Sequence, residues 1–227
     1  MPNFLLYLTM LWCLVIAFVP ATVAALPLID TPAPILLKAE TYGVPEGLSQ
    51  STVTSITEDS DGYIWVGTLN GLNRFDGKEF KQYFANDGTG LRSSFIQSLY
   101  SHKDLLLVGT NHGLYTYNKE KNTFVPISSM NSAVWSLQRM EDSILVGLND
   151  KIAKVDQITT TTPKITLLQS ENFINVKQII SYNNFYITRN HDGSVYQTDK
   201  DSQASKLISK ESISISQGTE YIYILKE

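Results

Sequence analysis

The stretch "EDSDGYIWVGTLNGLNRFDG", residues 58–77, sets an Asp-Gly turn, an apolar burst, an Asn-Gly turn and a second short apolar run within twenty residues. Aromatic and β-branched segments separated by pairs that tolerate positive φ read as tight antiparallel hairpins. The pattern recurs: "YIWVGTLNGLNRFD" (63–76) is echoed by "LLLVGTNHGLYTYN" (105–118), by "SILVGLNDKIAKVD" (143–156) and more loosely by "NFYITRNHDGSVYQTD" (184–199). Gly67, Gly109 and Gly147 hold the same place at spacings of 42 and 38 residues, and Thr188 takes it 41 residues later. A period near 40 decides the architecture before any single motif does.

Each unit has one grammar. The first runs "STVTSITED" (51–59), "YIWVGT" (63–68), "LNRFD" (72–76) and "EFKQYF" (79–84), with turns between. The later units repeat it, and "ESISISQGTEYIYILKE" starts a fifth. Four short strands per unit at this period predict an all-β fold, a partial β-propeller of about four to five four-stranded antiparallel blades. The expected segments are a signal peptide at 1–25, a lead-in and ring-closing strand at 26–50, and blades at 51–89, 90–129, 130–170 and 171–209, with a fifth starting at 210–227. The glycine of "VGT" is expected at the centre of a tightly packed inner strand, where a missing side chain admits the adjacent blade; a strand-end bulge is the alternative. Trp65 and Trp135 are expected in the core.

With 43% hydrophobic and 18% charged residues over 227 positions, the chain can bury a core. A net charge of −4 with scattered Lys and Arg gives no basic field for nucleic acid. The apolar run from Phe4 to Val19, followed by Pro20 and small residues ending at Ala25, has the order of a secretory signal, with an uncleaved anchor as the alternative. The single cysteine, Cys13, lies inside it, so the mature chain would have no disulfide.

Residues 47–83, "GLSQSTVTSITEDSDGYIWVGTLNGLNRFDGKEFKQY", resemble the two-component regulator propeller repeat of extracytoplasmic sensor regions in bacterial hybrid histidine kinases and some diguanylate cyclases. The tokens are the Gly-Leu-Ser lead at 47–49, the "VTSITEDSDGYIWVGT" core, and the Gly-Leu followed by an aromatic and Asp at 71–76. The second copy lacks the Asp-Gly and Trp, the third keeps "ILVG" and Trp135, and the fourth is recognisable by spacing alone. The resemblance implies a ligand- or protein-binding sensor in the periplasm, without catalytic activity of its own. Its parent would be a histidine kinase or diguanylate cyclase, truncated here before its membrane and output modules. It also implies a lead-in strand near 36–42 that would complete a last blade absent from this chain, and open edges prone to aggregation. A secreted polysaccharide lyase or glycosidase is the alternative.

Ligand contacts in propellers come from the loops joining strands two and three and from those joining blades. Here these hold Asn70, Asn111 with His112, Asn149 with Asp150, and Arg189 with His191, a set suited to a sugar or another polar ligand. Plain turn chemistry explains the same residues. The turn "DSDG" (59–62) lacks the Glu that an EF-hand would place at position 70, where Asn70 stands. His102, His112 and His191 form no close ligand pair. No metal, cofactor or catalytic residue is expected. Expected partners are a periplasmic small molecule or protein and the parent's remaining blades, with membrane contact only through a downstream span or an uncleaved N-terminal segment.

Overall fold

The computed structural model describes residues 39–157 and 163–226. The signal segment and the lead-in up to residue 38 lie outside the described residues. The chain divides into a first unit, Met1–Glu40, of which Ala39 and Glu40 are described and exposed, and a second, Thr41–Glu227, which carries everything below.

Four meandering antiparallel sheets follow one another. The first contains β1 (Val53–Glu58), β2 (Ile64–Thr68), β3 (Gly71–Phe75) and β4 (Phe80–Tyr83). The second contains β5 (Ile96–His102), β6 (Leu105–Thr110), β7 (Gly113–Asn118) and β8 (Thr123–Pro126). The third contains β9 (Ser136–Met140), β10 (Ser143–Gly147), β11 (Lys151–Asp156) and β12 (Lys164–Gln169). The fourth contains β13 (Val176–Tyr182), β14 (Phe185–Asn190), β15 (Val195–Asp199) and β16 (Ser205–Ser209). A two-stranded sheet, β17 (Ser212–Gln217) with β18 (Ile222–Lys226), completes the described set. The first strands β1, β5, β9, β13 and β17 lie side by side from sheet to sheet, so they are the inner strands of propeller blades.

Apolar clusters fill the spaces between successive blades. Trp65, fully buried, packs with Tyr83 of its own blade and with Tyr117 and Phe124 of the next. Val146 and Ala153 join Leu107 and Leu114 across the second junction, and Leu145 joins Val176 and Tyr186 across the third.

The repeated glycine lies in the second strand of each of the first three blades, not in the innermost one. Its packing role is nevertheless direct. A Cβ on Gly67 would stand 2.6 Å from Ile96 Cγ2, and one on Gly109 would stand 2.6 Å from Val134 Cγ1, both in the following blade. On Gly147 it would collide with the carbonyl oxygen of Val176. At the second and third junctions the serine opposite the glycine completes the contact: Ser98 Oγ donates to Val134 O at 3.2 Å and Ser136 Oγ to Val176 O at 2.7 Å, whereas Ser55 Oγ, opposite Gly67, is buried without a partner. In the fourth blade Gln178 takes over, donating to Ile215 O and accepting from Ile215 N.

The expected ring-closing strand is not a strand where it is described. Residues 39–42 have no regular structure, and a 3-10 turn, Val44–Glu46, follows. Tyr42 is not left bare, because its ring meets Phe75 at 4.9 Å and Phe80 at 6.2 Å. Gly43 and Pro45 favour a turn here over an extended partner strand.

Candidate functional site

The loops joining second to third strands and the segments joining blades meet at one end of the sheets, and their polar groups are largely spent on each other. Thr68 Oγ1 donates to Gly71 O at 2.8 Å and accepts from Asn70 N; Thr110 does the same with Gly113 O and His112 N. Gly71 and Gly113 hold φ of 122° and 112°, and a side chain at either would strike the incoming inter-blade segment at Ser49 or Met130. Ser49 in turn donates its N–H to Asn73 Oδ1 at 2.9 Å, while Leu48 is buried beneath it. These bonds give the Gly-Leu-Ser lead its structural meaning.

The sequence-predicted residues fall into two groups. In the first two blades, Asn70 is exposed on its turn, while Asn111 accepts from Ser93 Oγ and contacts His112 Nδ1 at 2.9 Å. This pair closes a loop; it does not present both its polar atoms outward. Between blades three and four the residues gather around Trp135. Its indole Nε1 donates to Asn149 Oδ1 at 2.7 Å, His191 lies with its ring centroid 5.6 Å away, and Lys177 Nζ sits 4.1 Å from the indole centroid. Arg189 anchors its Nε on Ser212 O at 2.6 Å. Asp150 turns to Lys151 at 3.3 Å and stands apart from that contact set.

Trp135 therefore corrects one expectation: it is partly exposed and is no member of the core, unlike Trp65. The reason lies in the backbone at the start of the inner strands. Register shifts in β1, β5, β13 and β17 leave Thr54, Gln97, Lys177 and Ile213 without a cross-strand partner. Trp135 occupies the same place, its N–H reaching Gly147 O at 2.8 Å while Ser136 also pairs with Gly147. A bulge re-aims the extra side chain and bends the strand. Lys177, at the β13 bulge, lies against Trp135, which holds the equivalent place just ahead of β9.

Electrostatically this junction is one-sided. Partial burial, with the nearby Arg189 charge, holds the Lys177 ammonium below the usual lysine range. Lys177 makes no hydrogen bond or ion pair among the described residues. Asp192, next to His191 in sequence, accepts from Ser194 N and Oγ at 2.9 and 2.6 Å, and these bonds hold its carboxyl below the ordinary carboxylate value.

The acidic residues at the opposite end have different surroundings. Asp59 is buried and accepts from Asp61 N, Tyr63 N and Trp65 Nε1, the last at 2.7 Å. Glu141 and Asp142 form the exposed turn between β9 and β10. A cleft of about 930 Å³ opens between blades two and three at this end, lined by His102, Asp104, Arg139 and Glu141 among others. Among the described residues no helix is long and apolar enough to cross a membrane.

Residues 47–70 match the family model of the two component regulator propeller. A 41-residue stretch is 56% identical to histidine kinase P4 of Formosa agariphila, covering 18% of this chain and 3% of that protein. Among solved structures, the extracellular domain of a protein described as a hybrid two component system, BT3049 of B. thetaiotaomicron, is similar with a TM-score of 0.70. Identity is 20% over 82% of this chain and 29% of that one. The extracellular domain of BT4673, from the same organism and described as a one component system, gives a TM-score of 0.65 at 21% identity, over 84% and 27% of the two chains. PorZ of Porphyromonas gingivalis, a surface component of the type-IX secretion system, gives 0.57 at 14% identity, over 82% and 26%. The chain spans less than a third of each of these proteins. At such identities the structural likeness establishes the fold, a β-propeller.

Proposed function

We propose, on the premise that the chain carries a two component regulator propeller repeat within a propeller fold, that it is the sensing part of a bacterial transmembrane signalling protein, working outside the cytoplasm in the periplasm. The observation that carries this reading is the repeat at residues 47–70, whose signature residues are all engaged in one blade junction and its two turns. The local identity to a histidine kinase supports the same reading. The output module belongs to the parent protein, a kinase or a cyclase. A small molecule or a periplasmic protein binds at the end where the second-to-third-strand loops and the blade connectors meet.

On this reading the chain binds without chemical turnover, the role that the sensor repeat at residues 47–70 supports. A β-lactamase fused after Glu227 tests the compartment: export in a Gram-negative host confers ampicillin resistance, and sensitivity with soluble fusion protein contradicts it. Calorimetry against a panel of oligosaccharides and organic acids, with product analysis of the same mixtures, tests the mode. Binding with no product is expected; product release would make the chain an enzyme.

A further inference from the structure

We infer that the junction of blades three and four, built on Trp135, Asn149, Lys177, Arg189 and His191, is an oxyanion-binding site that takes the carboxylate or sulfate group of the sensed ligand. The inference rests on the sensing reading above and names the ligand's chemistry. Lys177 Nζ lies 4.1 Å from the Trp135 centroid, partly buried, with no hydrogen bond or ion pair among the described residues. An ammonium in such a place has lost water without gaining a counter-charge, and the indole face returns only part of that loss.

The neighbours are donors as well. Asn149 spends its oxygen on the Trp135 indole, which turns its remaining capacity to its two amide hydrogens. Arg189 uses Nε on Ser212 O and keeps its two terminal nitrogens for another acceptor. His191 completes the group beside the indole. The nearby carboxylates are committed elsewhere, Asp150 to Lys151 and Asp192 to Ser194. A site rich in donors, with two like charges close together and its neighbouring carboxylates bonded elsewhere, is completed by an oxyanion, which would offset both the repulsion and the desolvation of Lys177.

The bulge explains why the site forms at this junction. Thr54, Gln97 and Ile213 occupy the equivalent places in the other blades, and among the described residues of this column only here does a cation lie against an aromatic ring.

The test is a titration of the ¹⁵N-labelled chain with sodium acetate and, separately, sodium sulfate at constant ionic strength kept with chloride, following the Trp135 indole N–H. Saturable shifts are expected with at least one of them, at least tenfold weaker in Lys177→Gln and unchanged in His102→Gln at the other end of the sheets. The tighter of the two salts identifies the ligand's acidic group as carboxylate or sulfate. Unaltered resonances of the Trp65 indole show that Lys177→Gln remains folded. Shifts that stay linear and equal those of chloride, or saturable shifts that survive in Lys177→Gln, would overturn the inference. A neutral oligosaccharide that saturates the same indole resonance while both anions fail would overturn it too, yet leave the sensing reading standing.

Discussion

Of the three repeated glycines, Gly147 has the least room to adjust. A methyl group there meets the Val176 carbonyl, which belongs to the backbone of the next inner strand, whereas at Gly67 it meets the movable side chains of Ile96 and Ser55. Gly147→Ala is therefore expected to destabilise by about 2–3 kcal/mol and Gly67→Ala by less, both within the range of overpacked cores, as read by urea denaturation. Asp59 is a second such residue. Asp59→Ala strands the Trp65 indole and two turn N–H groups, with an expected cost of about 2–3 kcal/mol and altered Trp65 emission. The sequence made Trp65 and the glycines legible, because each recurs in register with an apolar run. It left Trp135 illegible as a site residue, since a bulge shifts which face a side chain takes and period-two alternation cannot reveal it. The column of Thr54, Gln97, Trp135, Lys177 and Ile213, which sets one indole beside one ammonium, was the available signal. Asn111 and His112 show the converse: turn chemistry and ligand chemistry use the same residue types, and only the bond to Ser93 separates them.

The turns between third and fourth strands repeat a carboxylate or amide that accepts backbone N–H groups: Asp76 from Lys78 and Glu79, Asn118 from Lys121, and Asp199 from Asp201 and Ser202. Those donors hold the Asp76 and Asp199 carboxyls below their ordinary value. A group depressed in the folded state contributes stability that is complete above its unfolded pKa and is lost as pH falls through its folded pKa. Stability should thus decline as pH drops below about 4, with a shallower decline in Asp199→Asn, as read by thermal melts across pH. Both groups are exposed, so added salt should reduce the effect. Exposure of another kind marks β18, hydrogen-bonded to β17 on one edge, where Tyr223 and Leu225 and the preceding Tyr221 are about 60% exposed. Tyr223→Lys is expected to reduce concentration-dependent self-association in sedimentation velocity, and unchanged association would place the contact elsewhere. The edge was readable from the fifth unit's broken grammar. The turn at Val44–Glu46 was not, because "ILLKAETYGV" has strand-like composition and the Gly43 and Pro45 breaks come only at its end.

For the molecule as a whole, repetition of one sheet places the same two kinds of loop at one end of every blade, and differences between blades then decide where a ligand can rest. Packing between the first four blades repeats one contact, glycine against a β-branched residue, with a serine bonded to a carbonyl at the second and third junctions. The polar end is not uniform, since the first two blades spend their polar groups on loop closure and the junction of the third and fourth leaves a lysine, an arginine and an amide with unspent donors. The central claim is that this junction, and not the cleft between blades two and three, is where the chain binds its ligand. Crystallographic screening of a library of small acidic and neutral fragments tests this most directly. The account predicts that acidic fragments collect beside Trp135 and Lys177; fragments collecting instead in the cleft lined by His102 and Arg139, with the Trp135 junction empty, would contradict it.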